Sequence, residues 1–224
     1  MKKLLSLVLM GIFALILTGC GNNEDTQRRN TGNKSRCETG STANTYENIF
    51  SNPSMYFITV EGIKYCLGDT VGYFLSNNWD QHGSNMSLSE PTRPHSYVMD
   101  IIHSTGGIMR IDFTDSPHMG TIPLRDNVVT HISIQRHNLQ PIEFIDSIVL
   151  PFNLKFGMTV DEVVDILGAS SFFTEHRDSI TLTYHENENI SLNEAYLKLS
   201  LAEYEGSGQY VLNAVNIWFK HRVS

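Results

Sequence analysis

Hydrophobic and polar residues alternate along this chain with two different periods, which predict where helices and strands lie. Over residues 160–167, valine and leucine recur at positions i, i+3, i+4 and i+7, which predicts an amphipathic helix. Thr159 and Glu162 have the spacing of a capping box, and Gly168 follows as a stop signal. A similar, weaker pattern begins at Thr70, where Gly72 lowers the helix propensity by about 1 kcal/mol.

Alternation with a period of two predicts the strands. Valine, isoleucine, leucine and aromatic residues occupy every second position in several short segments that are bounded by turn residues. The predicted strands are Met55–Val60, Ile63–Cys66, Tyr97–Ile102, Ile108–Phe113, Val128–Gln135, Ile145–Leu150, Ile180–His185, Tyr196–Tyr204 and Tyr210–Phe219.

Two stretches of the chain resemble each other, which indicates an internal duplication. Leu67–Leu75 aligns with Phe156–Val164, and Val129–Ile134 aligns with Leu212–Ile217. We therefore expect an α+β fold of two tandem repeats, each a short helix packed on a three- to four-stranded antiparallel meander. The first repeat would span residues 47–141 and the second residues 142–224.

The N-terminus has the pattern of an export signal. Lys2 and Lys3 precede an apolar run over residues 4–17, which is too short to span a bilayer comfortably. The ending Leu17-Thr18-Gly19-Cys20 resembles the lipobox of bacterial lipoproteins, whose cysteine receives a lipid. This resemblance implies a signal peptide over 1–19 and lipidation of Cys20. Residues 20–46 contain almost no aliphatic side chain, which predicts a disordered tether.

The net charge and length of the chain exclude some classes of binding partner. Cleavage before Cys20 would leave 224 − 19 = 205 residues with 14 basic and 24 acidic side chains, a formal charge of 14 − 24 = −10. Such an acidic chain argues against nucleic acid as a partner and against electrostatic adhesion to anionic lipid. The acyl chains on Cys20 would then supply the membrane affinity.

Two further cysteines, Cys37 and Cys66, form an even pair in a chain predicted to be exported. A disulfide can persist in that environment, and a bridge between them would close a loop of about 30 residues, worth about 3–4 kcal/mol. The alternative is that both thiols are free.

A second resemblance concerns the fold. The segment Phe156-Gly157-Met158-Thr159, continued by Glu162, Val163 and Leu167-Gly168, is similar to the opening of two families of small domains. These are the assembly lipoproteins of the outer-membrane β-barrel machinery and the tandem-repeat β-lactamase inhibitory proteins. The resemblance implies a helix followed by an antiparallel sheet, in tandem, and a non-catalytic binding role.

The chain lacks the common catalytic and nucleotide-binding motifs, and we expect no cofactor and no metal site. Histidine is abundant, however, with nine residues, six of them between positions 82 and 137. Together with Asp112, the residues His103, His118 and His131 give an alternative hypothesis, a metal-dependent hydrolase of the cell envelope. That hypothesis requires these four side chains to converge.

Strand alternation also predicts a surface for a partner. If the leucines of 197–201 and the apolar residues of 215–219 face the helix, the residues between them face away from it. Tyrosine and tryptophan are common anchors of protein interfaces. The candidate partner surface in the second half is Tyr196, Lys198, Tyr204 and Trp218, and in the first half Arg110, Asp112, His131, Ser133 and Gln135. The alternative is that the two halves cover each other's sheets.

The sequence thus predicts a lipid-anchored cell-envelope protein, a non-enzymatic binding or assembly module. It would lie on the extracytoplasmic side of the cell membrane or outer membrane, held by acyl chains on Cys20 and in contact with a protein partner.

Overall fold

The protein has a mixed α+β fold in which antiparallel sheet predominates. The computed structural model describes residues 49–83, 86–89, 97–114, 122–136, 140–186 and 195–219, which belong to one compact unit. Its strands are β1 (Phe57–Val60), β2 (Ile63–Cys66), β3 (Trp79–His82), β4 (Tyr97–His103), β5 (Ile108–Thr114), β6 (Val128–Gln135), β7 (Ile148–Val149), β8 (Phe172–His176), β9 (Ser179–His185), β10 (Tyr196–Glu203) and β11 (Tyr210–Trp218). Its helices are α1 (Val71–Ser76), α2 (Ile142–Asp146) and α3 (Val160–Leu167).

The strands form two sheets. The larger has eight strands in the order β3-β4-β5-β6-β11-β10-β9-β8, and the smaller has the order β2-β1-β7. Neighbours in the large sheet are also neighbours in sequence except at its centre, where β6 pairs antiparallel with β11 over His131–Gln135 and Ala214–Trp218. This pairing, which we call the seam, joins residues that are about 80 to 90 positions apart.

Both predicted helix starts are confirmed. Thr70 accepts a hydrogen bond from the Tyr73 backbone N–H, and α1 ends at Ser76 with Asn77 as its C-cap. Thr159 and Glu162 form the predicted capping box, in which the Glu162 carboxylate accepts a hydrogen bond of 2.8 Å from the Thr159 backbone N–H. These bonds satisfy N–H groups that lie too early in a helix to have an intrahelical partner.

The same backbone bonds precede α1 and α3. The Gly68 N–H donates to the Val129 carbonyl at 2.8 Å, and the Gly157 N–H donates to the Leu212 carbonyl at 2.9 Å. Both glycines have positive φ, 96° and 91°, a conformation that glycine adopts without strain. Each helix start is thereby fixed to the first residues of a central strand, β6 or β11.

The core lies against one face of the large sheet, which we call the inner face. Side chains from both sheets and from all three helices form one hydrophobic cluster there. Representative members with no exposed surface are Ile58, Val60, Phe74, Ile132, Phe144, Val163, Leu199 and Val215. The predicted inward orientation of Leu197, Leu199 and Leu201 is confirmed, since all three are fully buried.

Some predicted boundaries are wrong. The strand expected at Ile145–Leu150 is the end of helix α2 followed by the two-residue strand β7. The strand expected at Met55–Val60 begins at Phe57, because Asn52 accepts a hydrogen bond from the Ser54 N–H and starts a 3₁₀ turn over Pro53–Tyr56. The edge strands β3 and β8 were not predicted at all.

Candidate functional site

The candidate site lies on the face of the large sheet that points away from the core, which we call the outer face. In β9, Ile180, Leu182 and Tyr184 are buried, while the residues between them are half-buried. In β10, Lys198 is exposed and Tyr196 is half-buried. Successive strand residues point to opposite faces, so alternation assigns the less buried set to the outer face.

Five rings form a row across the outer face, which we call the aromatic ladder: His131, Trp218, Tyr196, His185 and Phe172. The strand register places Trp218 directly opposite both His131 and Tyr196, and Tyr196 opposite His185. The Tyr196 and Trp218 rings are stacked with centroids 6.1 Å apart and planes 4° apart. Each cross-strand pair of this kind stabilises a sheet by about 0.2–1 kcal/mol.

Neighbouring centroids in the rest of the ladder lie 5.4 to 6.0 Å apart. Phe172, at the outermost strand, has 40% of its surface exposed. Burial raises the pKa of the Tyr196 hydroxyl, and the negative charge of Asp112 raises it further. Tyr196 therefore stays a neutral phenol at physiological pH, able to donate or accept a hydrogen bond.

The other end of the ladder is polar. Asp112 lies opposite His131, and its Oδ2 is 2.9 Å from His131 Nδ1, within hydrogen-bonding distance. Asp112 Oδ1, His131 Nε2 and Trp218 Nε1 are buried and have no hydrogen-bond partner among the residues that the structure describes. Buried polar atoms without a partner are costly. This end of the ladder therefore holds three buried polar atoms that have no described hydrogen-bond partner.

An ion pair flanks the ladder one row further along the same face. Arg110 donates from Nε and Nη2 to the two carboxylate oxygens of Asp100, at 2.7 and 3.1 Å. The hydrogen bonds from Arg110 lower the pKa of the Asp100 carboxyl, and those to Asp100 raise the pKa of Arg110. Both side chains are partly exposed, so the pair contributes little to stability.

Tyr204 does not join the other predicted surface residues. It follows the last residue of β10, whereas Tyr196 is the first, and eight strand residues span about 26 Å. Tyr204, 47% exposed, instead lines an open cleft of about 910 Å³ with Arg136, Gln140 and Asn213. The structure thus brings together Tyr196, Lys198 and Trp218 and places Tyr204 elsewhere on the protein.

The histidines of the hydrolase hypothesis do not converge where the structure describes them. His103 is buried on the inner face between Trp79 and Phe144, its Nδ1 2.8 Å from the Thr105 hydroxyl. Burial lowers the pKa of His103. His131 lies on the outer face, and His118 falls outside the described residues. Within the described part of the chain, no three His, Cys, Asp or Glu side chains are placed to hold a metal ion.

The predicted cysteine chemistry falls mostly outside the described residues. Cys66 is disulfide-bonded and fully buried. Cys20 and Cys37 lie outside the described ranges, as do the signal peptide and the predicted tether, so the Cys37–Cys66 pairing and the lipidation remain predictions. Among the described residues, no helix is long and apolar enough to cross a membrane.

Sequence alternation predicted much of the outer face but missed one end of it. Asp112, His131, Tyr196 and Trp218 were assigned to it correctly. Phe172 was not, because the segment Phe172-Phe173-Thr174-Glu175-His176 has no period-two pattern that would mark a strand.

Comparison of the chain with protein-family models, with curated proteins and with solved structures finds no match.

Proposed function

We propose that this protein is a lipid-anchored component of the bacterial cell envelope that binds a protein partner through the outer face of its large sheet. The observation that carries the proposal is the aromatic ladder on the outer face. Its Tyr196 and Trp218 rings keep part of their surface exposed, and the neighbouring Lys198 is exposed. A protein partner that covers these side chains would bury their remaining apolar surface.

The partner chemistry follows from these side chains. Interfaces between proteins are enriched in tyrosine, tryptophan and arginine, surrounded by polar groups that hydrogen-bond across the interface. The outer face has this composition, with Tyr196, Trp218 and Arg110 among serine, threonine and asparagine side chains. The acidic chain argues against nucleic acid in the same position.

The protein consists of two tandem repeats, each a short helix on an antiparallel meander, whose meanders join at the seam. The matching Gly68 and Gly157 hydrogen bonds and the two threonine caps support this duplication. On this proposal the aromatic ladder crosses the seam, since His131 belongs to the first repeat and Trp218 to the second. The binding face is then formed by residues of both repeats.

The proposed location is the extracytoplasmic side of the cell membrane or the outer membrane, with acyl chains on Cys20 as the anchor. The lipobox pattern at residues 17–20 supports it. No specific arrangement of the described histidines favours the hydrolase alternative over a binding role.

Replacing Cys20 by serine tests the anchor. Cys20→Ser removes the thiol that would receive the lipid, so we expect the full chain to lose lipid labelling and to remain uncleaved before position 20. The measurement is metabolic labelling with an alkyne fatty acid, followed by intact mass. Cys37→Ser is the matched control and should be labelled normally. Normal labelling of the Cys20→Ser variant would contradict the lipobox assignment.

A photo-crosslinker placed at two lysine positions tests the binding face. At Lys198 it would sit on the outer face beside the ladder, whereas at Lys64 it would sit on β2 of the small sheet; both positions are exposed. In intact cells we expect a crosslinked protein of defined mass from position 198 and none from position 64.

The same crosslink should depend on the ladder. Adding Tyr196→Ala and Trp218→Ala should weaken capture about thirtyfold, the effect of losing roughly 2 kcal/mol at an interface hot spot. Thermal melting of the double variant should remain cooperative, because both side chains keep part of their surface exposed. Equal adducts from both lysine positions, or undiminished capture by the folded double variant, would contradict the proposal.

A further inference from the structure

Strand β8 leaves one edge of the large sheet without a partner among the described strands. It is the last strand in the sheet order and pairs with β9 along its other edge. All of its residues are exposed, including Phe172 (40%) and Phe173 (55%). An open edge presents unpaired backbone N–H and C=O groups, and proteins usually protect such an edge with proline, lysine or a bulge. β8 contains no proline, lysine or bulge, and Glu175 is its one acidic residue.

The opposite edge of the sheet is different. Strand β3 has four residues, and its Trp79 is buried in the core. The Gln81 side chain donates to the Met86 carbonyl at 2.9 Å and accepts from the Met86 N–H at 3.0 Å. The Gln81 side chain of β3 therefore binds the backbone at Met86, whereas no described segment of the chain pairs with the outer edge of β8.

We propose that β8 pairs antiparallel with β8 of a second copy of this chain, with Thr174 opposite Thr174 on a two-fold axis. In this register Phe172 lies opposite His176 of the second copy, and Phe173 lies opposite Glu175. Alternate residues of an edge strand direct their N–H and C=O groups outward. In this register odd-numbered residues lie opposite odd-numbered residues of the second copy, and even-numbered residues lie opposite even-numbered ones. The residues whose backbone groups point away from β9 therefore face each other in the two copies, whether they are the odd or the even set.

The side chains select this register among its neighbours. A register centred on Glu175 would place two carboxylates directly opposite each other, which destabilises a strand pair. A register centred on Phe173 would leave His176 opposite a residue that precedes the second strand. Centring on Thr174 pairs all residues of β8, with a favourable Thr–Thr pair in the middle and an aromatic ring opposite an imidazole at each end.

The proposed strand pairing determines the relative orientation of the two copies. A two-fold axis perpendicular to the sheet keeps both outer faces on the same side and brings the two Phe172 ends of the aromatic ladders toward each other. The contact is isologous, so it closes as a dimer. The pairing uses the strand edge, not the outer face, and its test is independent of the proposed binding partner.

Disulfide trapping tests the pairing on the full chain. Directly opposed residues on neighbouring antiparallel strands have Cβ atoms close enough to bridge. Thr174→Cys should therefore give a covalent dimer on a non-reducing gel after mild oxidation of intact cells. The matched control, Asp80→Cys, introduces a thiol at another exposed position, on β3 at the other edge, and should give no more dimer than the unaltered chain.

Two substitutions at Phe173 test the register. With Thr174→Cys present, Phe173→Glu places a carboxylate opposite Glu175 of the second copy, and Phe173→Lys places an ammonium group there. Both remove the same ring from an exposed position, so both variants should fold, as thermal melting will show. We expect the glutamate variant to trap about tenfold less dimer and the lysine variant to trap at least as much as its parent.

Three results would overturn the proposal. They are equal trapping through Asp80→Cys and Thr174→Cys, equal trapping of the two Phe173 variants, and a Thr174→Cys adduct that contains a different protein instead of a second copy.

Discussion

Replacing Val163 by aspartate should unfold the protein, with a loss of about 4 kcal/mol or more in the free energy of unfolding. Val163 lies in α3 and has no exposed surface. A carboxylate at this position would be buried in the hydrophobic cluster with no group to pair with, and neither the charged nor the protonated acid is well solvated there. Natural domains have a total stability of about 5–15 kcal/mol, so few could absorb this loss.

The measurement is urea unfolding followed by circular dichroism. Ile166→Asp is the matched control, because it makes the same type of change on the same helix at a position that is 44% exposed. We expect that control to cost about 1 kcal/mol or less. If the two variants unfolded at similar urea concentrations, α3 would not pack on the sheet as described.

Replacing Gly107 by alanine should cost about 3 kcal/mol or more, an unusually large effect for one added methyl group. Gly107 lies in the turn between β4 and β5, and a Cβ atom there would overlap the ring of Phe144. That ring is fully buried and contacts the rings of Trp79 and His103. Because the ring is enclosed by other buried side chains, the ring or the backbone must shift, and overpacking of this kind is destabilising.

A double-mutant cycle checks the cause. Phe144→Leu removes much of the ring, so Gly107→Ala should cost markedly less in that background than in the original chain. Gly62→Ala serves as the comparison, since a Cβ there would meet no atom within 4 Å and would cost only the strain of a positive φ. Additive costs for Gly107→Ala and Phe144→Leu would contradict the steric explanation.

Local sequence signals predicted the elements that local interactions stabilise. β2 and β6 have the predicted bounds. In β6 the alternation buries Ile132 and Ile134 and leaves His131 and Ser133 half-buried. The start of α3 could be predicted because the whole capping box lies within four consecutive residues. Short elements that depend on distant contacts were missed. Helix α2 is one example, since its five residues hold Phe144 in a pocket built by other parts of the chain.

Gly72 is a further residue whose role depends on a contact that is distant in sequence. Gly72 lowers the intrinsic propensity of α1, and the sequence alone gives no reason for it. In the structure a Cβ atom at position 72 would lie 2.9 Å from the carbonyl oxygen of Arg125, so the helix can approach the 3₁₀ turn at Leu124–Asp126 only because Gly72 has no side chain. Contacts between residues more than 50 positions apart leave no periodic pattern in a sequence.

The outer face could be predicted residue by residue but not as an assembled surface. Alternation shows that Trp218 and His131 each point away from the core. It does not show that they are neighbours, because that depends on the register of β6 against β11, which no turn connects. Tyr204 has the same alternation as Tyr196, yet lies at the far end of the strand.

The seam also determines the order in which the chain can fold. Strands β3 to β6 and β8 to β11 each pair with neighbours in sequence, and such local hairpins close quickly. Pairing β6 with β11 must close a loop of about 80 residues, which carries a larger entropic cost and slows the search. While the chain folds, β6 is therefore a temporary edge until β11 pairs with it. In that interval the edge of β6 can pair with the β11 of a neighbouring chain and exchange the two meanders between molecules.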